Sequence, residues 1–316
     1  MENKILYIVV PCYNEEKVLL ETTKRLSALI DRMAADKLVS WESRVMFVDD
    51  GSKDTTWQLI EQLHETSRYV VGVKLAGNVG HQNALMAGLT TAKDYADIIV
   101  SIDADLQDDV EVIPQMVKEY NNGCDIVYGV RKKRDTDTFF KRNTAQAFYK
   151  LMGFLGVKTI YNHADYRLMS QRAVEKLTEF RERNLFLRGM VPLIGYKTAC
   201  VYYDRAERFA GESKYPLGKM VNFALEGVTS FSIRPLRLLL YMGILFILVS
   251  LVILLWVLIR YMGGAVVPGW SSLMLSVWFV GGCILVGLGI VGEYIGKIYI
   301  EVKDRPRYNI ETVLSK

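Results

Sequence analysis

The sequence predicts an α/β domain built on a parallel sheet, followed by two membrane-spanning helices. Short β-branched runs alternate with helix-length amphipathic stretches over roughly the first 130 residues, the pattern of a sheet covered on both faces. Three polar clusters, Pro11–Glu15, Asp49–Ser52 and Asp103–Gln107, close three of those runs. In a parallel sheet they gather at one edge, where ligands bind. Later in the chain, Leu238–Ile259 and Ser271–Gly292 contain no charged residue. Each run is about 22 residues, long enough to cross a hydrocarbon core of about 30 Å as a helix.

In order, Ile5–Val10 is the first strand, ending at Pro11, and a helical pattern runs from about Glu15 to Ala35. Arg44–Val48 is the second strand, and Asp54 is placed to cap a helix reaching about Glu65. Val70–Leu75 is a third strand, followed by a helix over Gln82–Ala92. Asp97–Ile102 is a fourth strand, Val110–Asn121 a helix and Asp125–Val130 a fifth strand. Lys141 and Arg142 open a helix running to about Leu155. Leu217, Met220, Val221, Ala224, Val228 and Phe231 recur at helical spacing, so Tyr215–Phe231 is expected to lie along a membrane surface and lead into the first span.

Composition narrows the function. A net charge of +4 over 316 residues, without a basic arm interleaved with aromatics, argues against a nucleic-acid partner. Cys12, Cys124, Cys200 and Cys283 lack metal-ligand spacing and read as buried thiols in a reducing compartment. Ile5–Val10 is too short for a signal peptide, so the N-terminal body is expected in the cytosol. Arg234 and Arg237 precede the first span, and Lys297, Lys303, Arg305 and Arg307 follow the second. That distribution predicts a multi-pass protein of the cell membrane with both termini cytoplasmic. Gly281, Gly282, Gly287 and Gly289 line the second span with small residues suited to close packing. A homo-oligomer is the expected assembly.

The chemistry centres on Asp103-Ala104-Asp105. Alternate residues at a strand end point the same way, so two carboxylates would face one side and repel unless a cation lies between them. Hard oxygen ligands suit Mg²⁺ or Mn²⁺, with Gln107 a third oxygen. Beyond the fifth strand, Arg131, Lys132, Lys133 and Arg134 emerge at the same edge, and Arg131 with Arg142 is a candidate phosphate site. Arg208, Ser213 and Lys214 surround Gly211 on an expected loop of the kind that closes over a diphosphate.

Four motifs, VVPCYNEE (Val9–Glu16), VDDGSKD (Val48–Asp54), NVGHQNAL (Asn78–Leu85) and DADLQ (Asp103–Gln107), resemble the family-2 glycosyltransferases of GT-A fold. HADYRLMS (His163–Ser170) and ERFAGESKY (Glu207–Tyr215) narrow the likeness to polyprenyl-phosphate glycosyltransferases, the group of dolichyl-phosphate mannose synthases and bactoprenol glucosyltransferases. The resemblance implies a cytosolic GT-A catalytic domain over 1–215, an interfacial helix over 216–234, two transmembrane helices over 235–300 and a cytosolic tail over 301–316. It implies that Pro11, Tyr13 and Glu15 line the nucleotide pocket, and that Asp50 accepts a hydrogen bond from the base. Asp103 would touch nucleotide or metal, Asp105 and Gln107 would hold the metal, and Asp165 is offered as the base. His81 reads as a helix N-terminal residue without chemistry.

The expected reaction is inverting transfer of a hexose from UDP-glucose or UDP-N-acetylglucosamine to undecaprenyl or another polyprenyl phosphate. GDP-mannose and an aminoarabinose nucleotide are less favoured donors. A processive synthase would need more spans and a Gln-x-x-Arg-Trp motif, which is absent. An oxidoreductase would need Gly-x-Gly-x-x-Gly after the first strand, where Pro-Cys-Tyr-Asn-Glu-Glu stands. A non-catalytic lipid-binding partner would have no need of the aspartates.

Overall fold

In the computed structural model, which describes residues 3–132, 163–183, 185–204, 234–262 and 269–315, the first apolar run becomes β1 (Leu6–Cys12), buried at every position. There follow α1 (Leu19–Ala35), β2 (Arg44–Asp49), α2 (Thr56–Thr66), β3 (Val70–Leu75), α3 (His81–Ala92), β4 (Ile98–Ser101), α4 (Ile113–Asn121) and β5 (Ile126–Arg131). Next come β6 (His163–Ser170), α5 (Gln171–Glu179), the short α6 (Leu187–Met190) and β7 (Thr198–Tyr203). Two long helices, α7 (Arg234–Met262) and α8 (Trp270–Lys303), precede β8 (Ile310–Leu314). The chain divides into two compact units: the sheet with its helices and the residues from Arg305 onward, and the α7–α8 pair.

The eight strands form one sheet in the order β7-β5-β6-β4-β1-β2-β3-β8. β1 pairs in parallel with β2 and β4, β2 with β3, and β5 with β7. The inner strands are continuous apolar runs because both faces are covered, and Leu6, Ile8, Val45, Phe47, Ile98 and Val100 have no exposed surface. α3 lies so close on the sheet that a Cβ at Gly88 would stand 2.4 Å from Val9 Cγ1 and 2.7 Å from Val48 Cγ2. Pro11 lies inside β1 without breaking it. Pairing with β4 ends at Val9, so no ladder bond on that side needs a Pro11 N–H.

Two strands depart from the parallel pattern. His163–Ser170, noticed in the sequence as a motif, is inserted as β6 between β4 and β5 and runs antiparallel to both. Residues 301–316, expected as a tail, supply one of the sheet's two edge strands. β8 pairs antiparallel with β3, and Ala76 N–H donates to the Asn309 carbonyl at 2.9 Å. The anchor is local: Leu314 Cδ1 fills the space over Gly72 beside Ile60 and Trp57, and Lys74 pairs with Glu311 at 2.8 Å. One inward apolar contact in a five-residue strand leaves little periodicity to read.

Within the second unit, Phe246 meets Phe279 edge to face at 6.0 Å, and Leu239 lies against Gly287, so α7 and α8 run antiparallel. Of the four glycines noted in the second span, Gly287 alone, among the described residues, leaves space that a neighbour closes to within 4 Å, and that neighbour is Leu239 on α7. By length and composition Leu236–Ile253 and Phe279–Lys303 can each cross a membrane. α8 continues past the charge-free run to Lys303 and stops at Asp304, whose φ of 44° is left-handed, with Pro306 close behind. The helices expected over Lys141–Leu155 and Tyr215–Phe231 lie outside the described residues.

Candidate active site

Loops leaving β1 to β4 meet at one edge of the sheet, and β6, being antiparallel, begins at that edge. The first two loops are stapled together. Asn14 N–H donates to Ser52 Oγ at 3.0 Å, Lys53 N–H to Asn14 Oδ1 at 2.8 Å, and Glu15 N–H to Thr56 Oγ1 at 2.9 Å. Asp54 Oδ1 accepts from Thr56 N–H at 3.0 Å, so it serves the start of α2 from one residue before the N-cap, Thr55. Tyr13 stands exposed at the rim, Glu15 is half-buried, and Pro11 is buried within β1.

Asp50 organises the next loop. One oxygen accepts from Val79 N–H at 2.7 Å, the other from Gly80 N–H at 3.0 Å and Asn78 Nδ2 at 3.1 Å. Gly51 makes that approach possible: its φ is 66°, and a Cβ would sit 2.6 Å from Asn78 N. Burial lifts the Asp50 carboxyl above its ordinary value despite these donors. Asp50, expected to accept a hydrogen bond from the base, also shapes the turn that delivers His81 at the start of α3.

Asp103 and Asp105 follow directly on the end of β4, where Ile102 N–H still donates to the Val9 carbonyl at 3.1 Å. β4 stops at Ser101, and the carboxylates lie on a turn with Leu106 at a φ of 57°. Thr22 Oγ1 donates to the Ala104 carbonyl at 3.1 Å, Tyr166 OH to the Asp109 carbonyl at 2.9 Å, and Gln107 N–H to Asp105 Oδ1 at 3.2 Å. Desolvation raises the Asp103 carboxyl, His81 opposes the rise, and the Asp108, Asp165 and Asp105 carboxylates add to it. A cation relieves that crowding, so the residues suit one. Among the described residues no three His, Cys, Asp or Glu side chains gather closely enough to enclose a metal. Two carboxylates, with the remaining positions left to phosphate oxygens and water, match the habits of Mg²⁺.

Across from this turn stands Asp165, nearly buried at the start of β6. Arg167 Nη2 donates to its Oδ1 at 2.5 Å, and Arg188 Nη2 to its Oδ2 at 3.1 Å. His81 Nε2 lies 3.5 Å from Asp103 Oδ1 and 4.0 Å from Asp165 Oδ2, bridging the two carboxylates. Burial alone would raise the Asp165 carboxyl, but Arg188 and Arg167 outweigh it and hold the group far below the usual carboxylate range. A carboxylate held that way is a weak proton acceptor near neutrality. The residue offered as base is the anchor of two guanidiniums.

Arg131, expected at a phosphate site, is paired within the protein. Its Nη2 donates to Asp108 Oδ1 at 3.0 Å and its Nε to Tyr203 OH at 3.2 Å, while Tyr203 OH donates to the same Asp108 oxygen at 2.5 Å. This cluster ties the Asp103–Asp109 turn to the ends of β5 and β7. Because Asp108 is nearly buried, Arg131→Ala is expected to cost about 3 kcal/mol of stability, against about 1 for Tyr203→Phe. Denaturant unfolding of the detergent-solubilised protein measures both. Unchanged stability with a raised KM for lipid phosphate would return Arg131 to the acceptor site. Arg142, Arg208, Ser213 and Lys214 lie outside the described residues.

Residues 7–178 match the family described as Glycosyl transferase family 2. The chain is 53% identical over 307 residues to an uncharacterized glycosyltransferase, YkoT, of Bacillus subtilis, covering 97% of this chain and 91% of that one. It is 41% identical over 308 residues to a prophage bactoprenol glucosyl transferase homolog of Escherichia coli K12, covering 97% and 98%. The bactoprenol glucosyl transferase of Shigella phage SfV is 40% identical over 311 residues, covering 98% and 99%.

Proposed function

The chain belongs to glycosyl transferase family 2 and is a glycosyltransferase, and from that premise we propose that it moves glucose from UDP-glucose to undecaprenyl phosphate. The observation that carries the acceptor and the sugar is the end-to-end similarity, apolar helices included, to proteins named for glucosylating bactoprenol. The long α7–α8 pair supports placement in the cell membrane. Placement of both ends on one side of the membrane is supported by the return of the chain into its own sheet at β8, and the cytosolic side by Arg234, Arg237, Lys297, Lys303, Arg305 and Arg307 flanking the spans.

In this reading Tyr13, Glu15 and the turn held by Asp50 border the nucleotide, and Asp103 and Asp105, with Gln107 beside them, hold a divalent cation. When bound, that cation offsets negative charge on the departing diphosphate. An acceptor phosphate oxygen attacks the anomeric carbon as its bond to the UDP oxygen breaks, and the configuration inverts. Little base catalysis is needed, since a phosphate monoester has a second pKa near 6 and is mostly dianionic at pH 7. His81 and Asp165 stand where the two substrates would meet and keep the carboxylate edge in place.

Sealed membrane vesicles test the chemistry and the orientation together. Inside-out vesicles given UDP-glucose should form a lipid-linked glucose that mass spectrometry detects, and right-side-out vesicles should not. Transfer only from a different nucleotide sugar would overturn the donor, and transfer only in right-side-out vesicles the topology.

A further inference from the structure

We infer that Arg188 is a substrate-contacting residue of this active site, binding a phosphate oxyanion, and that Asp165 and Arg167 are the positioning residues that hold it there. The inference rests on the glycosyltransferase reading above and extends it to a residue that no motif in the sequence marked.

Four observations carry it. The backbone under Arg188 is pinned on both sides of the preceding residue: Leu187 N–H donates to Gln82 Oε1 at 2.8 Å, and the Leu187 carbonyl accepts from Arg167 Nη1 at 3.4 Å. The guanidinium is oriented as well, because Arg188 Nε and Nη2 reach Asp165 Oδ1 and Oδ2 at 3.4 and 3.1 Å. Of the two arginines on Asp165, Arg167 has 1% of its side chain exposed and Arg188 has 32%, so Arg188 is the one a ligand can touch. Finally, His81 lies between Asp165 and Asp103, which places the arginine's anchor an imidazole's width from the carboxylate turn.

The chemistry selects the ligand class. A planar guanidinium presented on a fixed carboxylate recognises phosphate oxygens with both charge and direction. Both substrates carry phosphate, the donor as a diphosphate and the acceptor as a monoester. Asp165 then acts through Arg188: it fixes the fork before substrate arrives, which lowers the ordering cost of binding.

Three variants of the full-length protein, Arg188→Ala, Arg188→Lys and Asp165→Asn, separate the possibilities. Calorimetric titration with UDP reads the donor diphosphate, and kinetics with varied undecaprenyl phosphate read the acceptor. Arg188→Ala is expected to lose about 100-fold in one of these two quantities, with Arg188→Lys recovering part because charge survives without the fork. A loss in UDP affinity assigns the donor, and a raised acceptor KM at unchanged UDP affinity assigns the monoester. Asp165→Asn should move the same quantity as Arg188→Ala and in the same direction. If Arg188→Ala fails to fold, Arg188→Lys, which retains a cation beside Asp165, gives the same comparison. The inference is overturned if UDP affinity and acceptor kinetics both stay within about threefold of wild type. Wild-type protein that transfers no sugar would defeat the earlier reading instead, and in that case an unchanged UDP affinity alone defeats this one.

Discussion

Asp105→Asn is expected to lower turnover by at least about 100-fold while leaving the protein folded, and EDTA should abolish transfer until Mg²⁺ or Mn²⁺ is restored. The fold should survive because Asn keeps an oxygen to accept from Gln107 N–H, the contact Asp105 makes at 3.2 Å. Nor does the turn depend on that one bond. Thr22 and Tyr166 hold it through the Ala104 and Asp109 carbonyls, and Asp108 locks it to Arg131 and Tyr203. What the substitution removes is one negative charge from a crowded set. Burial raises the Asp103 carboxyl above its ordinary value, His81 opposes the rise, and Asp108, Asp165 and Asp105 add to it. Fewer charges there mean weaker cation binding, so activity should recover partly at millimolar Mn²⁺. Undiminished transfer by the wild type in EDTA would falsify the metal role outright.

Local signals carried most of the architecture. β1 to β5 were legible as apolar runs because strands covered on both faces need no alternation, and α1, α2 and α4 bury one face each, whereas α3 is buried over Ala84–Leu89. Their order already implied that Pro11–Glu15, Asp49–Ser52 and Asp103–Gln107 share an edge. β6 and β8 were not legible as strands of this sheet. Each runs antiparallel and joins through partners distant in sequence, Ile98–Ser101 for β6 and Gly72–Leu75 for β8. Side-chain commitments were harder still. Nothing local marks Arg131 as the partner of Asp108, or Arg188 as the partner of Asp165, since those pairs are 23 residues apart and join only when the sheet closes. A basic cluster at a ligand edge suggests a phosphate site for Arg131, and a buried carboxylate pairs with it as well. His81 looked like a helix start and is one, yet the turn built by Asp50 aims it between two carboxylates.

Asp165→Asn is expected to lose activity through misplaced arginines rather than through a missing base, and the two causes leave different traces. Removing the carboxylate leaves the buried Arg167 without its ion partner and frees the Arg188 fork, at a cost of about 3–5 kcal/mol of stability. The sign of the pH dependence follows from the pKa. Burial opposes ionisation of Asp165, but Arg188 and Arg167 prevail and hold its carboxyl well below the ordinary value. A depressed folded pKa contributes its stability above the unfolded carboxyl pKa of about 3.9 and loses it as pH falls below that value. The stability gap between wild type and Asp165→Asn should therefore be constant from about pH 5 to pH 8 and narrow below about pH 4. Turnover should show no acid limb belonging to Asp165, only one near pH 6 from the acceptor phosphate. Combined with Arg188→Ala, the second substitution should add little, because both remove the same arrangement. Unfolding curves across pH and a double-mutant cycle in kcat supply the measurements. A base would behave otherwise: Asp165→Asn would cut kcat at unchanged stability, and its effect would add to that of Arg188→Ala.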